Sequence, residues 1–245
     1  MLFQKSVVNC NDLAMTLDGR IGDAKGDIMY HWVEDKEFLK RSYSFCADIV
    51  NQLVQNLKHY GIDASMNVVG SKKRNMITQN ENEDIDFDFN LLIENADDFR
   101  DAKELKHNIQ IAFNEVLSDN DLKDCEDSTS ALTTKPIHFL KGNKTYFSID
   151  VCIVKLDRYG QLHRLIHQKT GIVAWDQWYW NKVPNSQELW KKEDALKPDY
   201  WQYVRKAYID HKNMYLQRND YNHPSFICYI EAVNEVYDKV RGLHN

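Results

Sequence analysis

The sequence has little glycine and proline, and it lacks the long apolar runs of membrane proteins. Only 9 Gly and 4 Pro occur in 245 residues, of which 43% are hydrophobic. This composition excludes a collagenous, linker-like or disordered chain, because enough apolar material is present to bury a core. No stretch approaches the roughly 18 consecutive apolar residues of a membrane helix, and the first residues lack the basic head and apolar run of a secretory signal. We therefore expect a soluble protein without a membrane partner.

Cysteine and positive charge are also limited. The five Cys form no C-x-x-C pair, which argues against a disulfide framework or a zinc ribbon and predicts a reducing, cytoplasmic location. The net charge is −6, so a long nucleic acid is not an expected partner, since its phosphates require a basic surface. The acidity is uneven, with 27 acidic and 19 basic side chains in residues 1–160 against 10 and 12 in residues 161–245. The absence of a Gly-rich P-loop removes the common NTPase class.

The periodicity of the apolar residues predicts a core of helices and strands. A 3.6-residue repeat predicts two helices, over residues 34–60 and 95–119. Short apolar runs predict two strands at residues 65–69 and 85–93, an acidic loop at 120–134, and two hairpins that turn at residues 141–144 and 158–160. This order predicts an α+β fold in which helices cover one face of a mixed sheet.

The composition changes after Gly171. Five of the six Trp lie between Trp175 and Trp201, and the apolar spacing predicts helices over residues 187–218 and 224–241. We therefore predict two domains: residues 1–170 contain the sheet and an N-terminal helix, and residues 171–245 form a smaller helical lobe.

Four carboxylates are placed where strands are predicted. Asp84, Asp86 and Asp88 alternate with apolar residues, so that their side chains are spaced about 6.5–7 Å apart along one strand face. Asp150 lies in an apolar strand, where an ionised carboxylate is costly unless a cation compensates its charge. Alternating Asp residues alone are typical of a solvated face, but Asp150 and the upstream Gly-Ser turn together favour a site for Mg²⁺ or Mn²⁺.

The combination resembles the polymerase-β-like nucleotidyltransferase superfamily, nearest to the branch of cyclic GMP-AMP synthase, oligoadenylate synthase and the bacterial cyclic-oligonucleotide synthases. In that family a strand ends in Gly-Ser, alternating acids follow on the next strand, and a third Asp lies in a later apolar strand. The matching segments cover about residues 65–155 and read Val68-Val69-Gly70-Ser71, Asp84-Ile85-Asp86-Phe87-Asp88 and Ser148-Ile149-Asp150-Val151.

The resemblance implies a nucleotidyltransferase palm, with a C-terminal helical lobe that closes the nucleotide cleft. It implies an enzyme that transfers NMP from an NTP to a hydroxyl acceptor and releases pyrophosphate with two Mg²⁺ or Mn²⁺ ions. Its product would be a cyclic or linear oligonucleotide signal of the kind used in antiviral defence. The implied catalytic and metal-binding residues are Asp86, Asp88 and Asp150, with the pair Asp84 and Asp86 as the alternative.

The same resemblance implies nucleotide-binding residues. Gly70 and Ser71 would contact the triphosphate, and Lys206 and Ser225 match a Lys and a Ser that touch it from the helical lobe. The basic run at residues 72–74 fits either a phosphate contact or a solvated loop. Two other functions stay open: adenylylation of a small molecule, a protein or tRNA, and a catalytically silent nucleotide-binding module.

Overall fold

The structure is a computed structural model that describes residues 29–96, 101–184, 187–220 and 223–243. The chain divides into two compact units. The larger is Trp32–Pro184, and the described residues of the smaller are 29–31, 187–220 and 223–243. Residues 171–184 belong to the larger unit in this division. The domain boundary predicted after residue 170 stays a prediction.

A mixed seven-stranded sheet forms the centre of the larger unit. The strands of the described residues are β1 (Tyr30–Trp32), β2 (Asp63–Val68), β3 (Thr78–Asn80), β4 (Ile85–Asn95), β5 (Glu126–Asp127), β6 (Leu132–Thr133), β7 (Phe147–Leu156), β8 (Leu162–Gln168) and β9 (Gln177–Lys182). All of them except β1 and β3 belong to this sheet. Strand β4 pairs in parallel with β7 and antiparallel with β2. The edge of β7 that faces away from β4 is shared by β6 and β8, and β9 pairs with β8.

Two long helices pack on one face of the sheet, as predicted. They are α1 (Lys36–Leu57) and α3 (Ala102–Asp119), and a one-turn helix, α2 (Gly70–Lys73), lies between them in the chain. Both long helices begin at a capping Asp, because Asp35 and Asp101 each accept a hydrogen bond from a backbone amide of the first turn. Their apolar faces join one core with the sheet, which confirms the predicted α+β fold.

The central strands β4 and β7 divide their side chains between two environments. Ile85, Phe87 and Phe89 of β4 are buried in the main core, whereas Asp86 between the first two of them is exposed and Asp88 between the last two is half-buried. Strand β7 is buried on both faces, because Cys152 and Val154 pack with Ala131 in a second apolar cluster. The alternation predicted for residues 85–93 and the burial predicted around residue 150 are both confirmed.

The connection before β7 differs from the predicted hairpin. Only Ile137 and Phe147 form a β-bridge, and the predicted strand over residues 137–140 is wrong. The reason is side-chain packing: the ring of Phe139 lies 5.2 Å from that of Phe147 and contacts two further Phe rings. The acidic loop also contains β5 and β6, which the sequence analysis missed. The predicted turn at residues 158–160 is confirmed, since Gly160 N donates to Asp157 O at 2.9 Å.

The described residues of the smaller unit form three helices: α4 (Gln187–Leu196), α5 (Trp201–Gln217) and α6 (Ser225–Leu243). The continuous helix predicted over residues 187–218 is interrupted after Leu196, because Pro198 lacks an amide hydrogen and restricts the residue before it. Buried side chains such as Val204, Tyr229 and Val233 form the core of this unit. In the described ranges, no helix is long and apolar enough to cross a membrane.

Candidate active site

The parallel pairing of β4 and β7 brings the predicted carboxylates to one face of the sheet. The register places Asp88 opposite Asp150 and Asp86 opposite Ser148. Because neighbouring positions along a strand point to opposite faces, these side chains lie on the face opposite the main core. Residues that are 62 positions apart in the sequence are thus neighbours in the fold.

Two hydroxyl groups orient two of the carboxylates. Ser148 Oγ donates to Asp86 Oδ1 at 2.6 Å, and Thr133 Oγ1 donates to Asp150 Oδ1 at 2.6 Å. Thr133 is held in place by β6, where it is the cross-strand partner of Asp150. Each carboxylate therefore has one oxygen engaged by a neighbouring strand and a second oxygen for another ligand.

The third carboxylate, Asp88, is the most strongly perturbed. Its pKa is raised to about 6 by burial, and the charges of Asp150 and Asp86 add to the rise, while Arg164 and Arg74 oppose it. The pKa of Asp150 is raised by burial and by Asp86, and the hydrogen bond from Thr133 opposes that rise. The three carboxylates thus repel one another in a half-buried setting, which favours the binding of a cation or a proton.

Gly70 sits directly against Asp88. Val69 N donates to Asp88 O at 2.9 Å at the end of β2, and Gly70 follows with a φ of 63° at the start of α2. A Cβ atom at Gly70 would lie 1.9 Å from Asp88 Oδ2. Only glycine allows both this left-handed backbone and this approach. Ser71 is the next residue of α2.

The carboxylates of Asp86, Asp88 and Asp150 are the groups at this site that could bind a divalent cation. In the part of the chain that the structure describes, no three Asp, Glu, His or Cys side chains lie close enough together to hold one ion. The chemistry of the set nevertheless fits Mg²⁺ or Mn²⁺, because all the donors are carboxylate oxygens. A cation would also offset the mutual repulsion that raises the pKa of Asp88.

The remaining predicted residues are Asp84, Lys206 and Ser225. Asp84 precedes β4 and is exposed, and its pKa is raised by partial burial, then by Asp86 and Glu83. Lys206 lies half-buried on α5, and Ser225 is exposed at the start of α6, on helices of the smaller unit. The roles of Lys206 and Ser225 toward a nucleotide stay predictions.

In the basic run after the Gly-Ser turn, Arg74 acts on the site through its charge, whereas Lys72 contacts Tyr43, which packs against the main core. Lys72 Nζ lies 4.7 Å from the centre of the Tyr43 ring, and the charge of Arg74 lowers the pKa of Asp88. The residues that sequence reasoning missed are Thr133 and Arg164. Thr133 lies in the segment interpreted as a loop, where the run Leu132-Thr133-Thr134 was a weak strand signal, and nothing in the sequence singled out Arg164.

Structural comparison identifies the fold. CdnC of E. coli MS115-1, solved with ATP, matches at a TM-score of 0.51 and 13% identity, over 84% of this chain and 62% of CdnC. The Elizabethkingia meningoseptica CdnE cyclic dinucleotide synthase, solved with GTP and Apcpp, matches at 0.47 and 15% identity, over 77% and 68% of the two chains. The Bradyrhizobium diazoefficiens CD-NTase CdnG, in complex with GTP, matches at 0.40 and 15% identity, over 74% and 47%.

This chain therefore has the fold of CdnC and spans 62% of that protein's length, which confirms the predicted resemblance at the level of fold. The sequence matches no protein-family model, and no curated protein sequence matches it.

Proposed function

We propose that this protein is a metal-dependent nucleotidyltransferase, which transfers NMP from an NTP to a hydroxyl acceptor and releases pyrophosphate. The observation that carries the proposal is the pairing of Asp88 with Asp150 across two parallel strands, with Gly70 against Asp88. Three half-buried or exposed carboxylates on one sheet face support a cation site, and the Gly70-Ser71 turn beside Asp88 supports a phosphate site next to it.

The carboxylates have distinct roles in this proposal. Asp86, Asp88 and Asp150 would hold Mg²⁺ or Mn²⁺, and the bound ions would supply activation of the attacking oxygen and charge neutralisation at the leaving pyrophosphate. Asp150 also accepts the proton of the attacking hydroxyl at the oxygen that Thr133 does not engage. A carboxylate oxygen in hydrogen-bond reach of a hydroxyl can act as its general base.

The triphosphate lies next to Gly70 and Ser71. Gly70 and Ser71 each offer a backbone amide hydrogen, and Ser71 also offers a hydroxyl. Lys206 and Ser225 are the two further residues that we propose for triphosphate binding. The product is a cyclic or linear oligonucleotide signal, which is the assignment nearest to the CdnE neighbour described as a cyclic dinucleotide synthase.

A panel of NTPs with Mg²⁺ or Mn²⁺ tests this function. Pyrophosphate release and the mass of the products are measured for the wild type and for Asp86→Asn, Asp88→Asn and Asp84→Asn. We expect Asp86→Asn and Asp88→Asn each to lose activity by on the order of a thousandfold, because each removes charge that stabilises the transition state. Asp84→Asn should stay within a fewfold of the wild type.

The outcomes separate the alternatives. Loss of activity in Asp84→Asn together with retention in Asp88→Asn would assign the metal pair to Asp84 and Asp86. A product that joins the nucleotide to a small molecule, protein or tRNA would identify an adenylylating enzyme. If no NTP released pyrophosphate and Asp150→Ala bound metal as the wild type does, the proposed enzymatic activity would be contradicted. The catalytically silent nucleotide-binding module would then remain.

A further inference from the structure

Strand β9 forms one edge of the main sheet. Among the described residues it pairs only with β8, in a continuous register of six residue pairs. None of its residues is buried: Trp178 and Trp180 are half-buried, and the other four residues of the strand are exposed. The outer side of β9 is therefore accessible to another molecule.

The hydrogen-bond pattern shows which backbone groups of β9 point outward. Val183 N donates to Leu162 O at 2.9 Å, so these two residues are a hydrogen-bonded pair at the end of the ladder. Because such pairs alternate along antiparallel strands, the odd-numbered residues of β9 also bond to β8. The N–H and C=O groups of Trp178, Trp180 and Lys182 consequently point away from β8. In the part of the chain that the structure describes, these outward groups have no hydrogen-bond partner.

β9 lacks most of the features that prevent an edge strand from pairing with another chain. Natural edge strands are commonly very short, bulged or interrupted by proline, or they carry charged side chains. The opposite edge strand, β2, has an irregular register between Asp63 and Ala64. By contrast, β9 is regular, contains no proline and has a single charged residue, Lys182, at its last position. Its full length is therefore able to accept an added strand.

Three lysines line one face of this edge, which we call the lysine face. Lys103 Nζ lies 4.7 Å from the centre of the Trp178 ring, and Lys155 Nζ lies 4.2 Å from that of Trp180. The side chain of Lys182 points to the same face as both rings, because alternate positions of a strand share a face. No described carboxylate forms an ion pair with these lysines, and neither β9 nor the residues of β8 paired with it include an acid. The lysine face therefore favours a strand with acidic side chains.

We propose that β9 binds an extended peptide segment of a partner protein as an added antiparallel strand, and that this segment carries an acidic side chain at every second position. Antiparallel pairing is slightly more stable per residue than parallel pairing. In this arrangement the peptide residues opposite Trp178 and Trp180 exchange both backbone hydrogen bonds with β9, and their side chains point to the lysine face. The acidic positions are therefore the positions whose amides bond to β9.

A second copy of this chain is a poorer occupant than an acidic peptide. Pairing of two β9 strands would place the three lysines of each copy on the same face of the joined sheet, and like charges close together are destabilising. An acidic strand instead offsets these charges, and the acid that precedes β9 in the chain, Asp176, is already bound by Thr170. None of the residues that form this surface belongs to the proposed nucleotidyltransferase site, so the surface does not depend on that function.

Short capped peptides test this surface on the full chain, and their affinities are measured by calorimetry. The first alternates Glu with Thr over about nine residues, which is enough to span β9. The second and third replace every Glu with Gln or with Lys. Two N-methylated forms of the Glu–Thr peptide test the backbone pairing: N-methylation of the Glu residues removes the amides that bond to β9, whereas N-methylation of the Thr residues removes amides that point away from it.

Variants of the protein separate the charges from the backbone pairing. The double variant Lys103→Glu and Lys182→Glu reverses two charges of the lysine face. Its matched control is Lys36→Glu and Lys40→Glu, which changes two exposed lysines of α1. Lys182→Pro removes one outward amide, and an edge strand tolerates proline where the amide points to solvent. Lys182→Gln removes the charge and keeps the amide.

The wild type should bind the Glu–Thr peptide about tenfold or more tightly than the Gln–Thr peptide. Binding should also slow the exchange with deuterium of the amide hydrogens of Trp178, Trp180 and Lys182, measured by NMR. N-methylation of the Glu residues should weaken binding by about tenfold or more, and N-methylation of the Thr residues by no more than about threefold. The double variant of Lys103 and Lys182 should prefer the Lys–Thr peptide, the control should not, and Lys182→Pro should bind more weakly than Lys182→Gln.

Three results with the wild type would overturn the proposal: absent or equal binding of the Glu–Thr and Gln–Thr peptides, equal effects of the two N-methylations, or unchanged exchange of the three outward amides. Sedimentation without peptide tests the other occupant. A concentration-dependent dimer in which those amides are already protected would assign the edge to a second copy and would overturn the peptide. These comparisons use only the wild type, so they decide the matter even where a variant fails to fold.

Discussion

Replacing Asp88 with Asn should stabilise the protein when divalent cations are removed. The pKa of Asp88 is raised from its usual value of 3.8 to about 6, because burial and two neighbouring carboxylates disfavour its charge. This difference corresponds to about 1–3 kcal/mol against the folded state at neutral pH, after allowance for solvent screening at a half-buried group. Asn keeps the shape of the side chain and removes the charge.

The pH dependence has a defined sign. A carboxyl group whose folded pKa lies above its unfolded pKa contributes stability below the unfolded value, near pH 4, and loses that contribution as the pH rises through about 6. The wild type should therefore become less stable than Asp88→Asn between about pH 4 and 7. The two proteins should be nearly equal in stability at the acidic end.

Denaturant unfolding at several pH values in the presence of EDTA measures the effect. Asp48→Asn is the matched control, since Asp48 is an exposed carboxylate on α1, and its free energy of unfolding should change by no more than about 0.5 kcal/mol. Added Mn²⁺ should stabilise the wild type and leave Asp88→Asn nearly unchanged. If Asp88→Asn were no more stable than the wild type at pH 7.5, the conclusion that charge repulsion destabilises this site would be refuted.

Two further predictions concern the residues that position the site. Thr133→Val removes the 2.6 Å hydrogen bond to Asp150 and should cost about 1 kcal/mol of stability. It should also raise the pKa of Asp150 and move the acid limb of the pH–activity profile upward, and Thr133→Ser should restore the stability and the profile. An unchanged profile in Thr133→Val would contradict the positioning role of Thr133. Gly70→Ala places a Cβ atom 1.9 Å from Asp88 Oδ2 and should abolish pyrophosphate release. It should also lower the melting temperature more than Gly160→Ala does. Gly160 is the matched control, because its φ of 74° is similar and no atom lies within 4 Å of an added Cβ.

Local patterns determined much of the fold. The period-2 alternation around Phe87 and the apolar run around Asp150 predicted β4 and β7 correctly, because a strand buried on one or both faces imposes those patterns directly on the sequence. The helical repeat likewise predicted α1 and α3. Prediction from local patterns failed at residues 137–140, where the packing of Phe139 sets the path of the backbone. It also failed at β6, because that strand has only two residues.

Some properties of the candidate site likewise depend on local sequence, and others depend on the tertiary structure. The sequence by itself determined which residues are acidic, that Asp86 and Asp88 share a face, and that Asp150 lies in a buried strand, since these properties depend on neighbours in the chain. Only the tertiary structure decided that Asp88 is paired with Asp150, that Thr133 donates to Asp150, and that Arg164 lies on the carboxylate face. The reason is that strand order and register arise from the packing of distant segments, and no local pattern specifies which strands become neighbours.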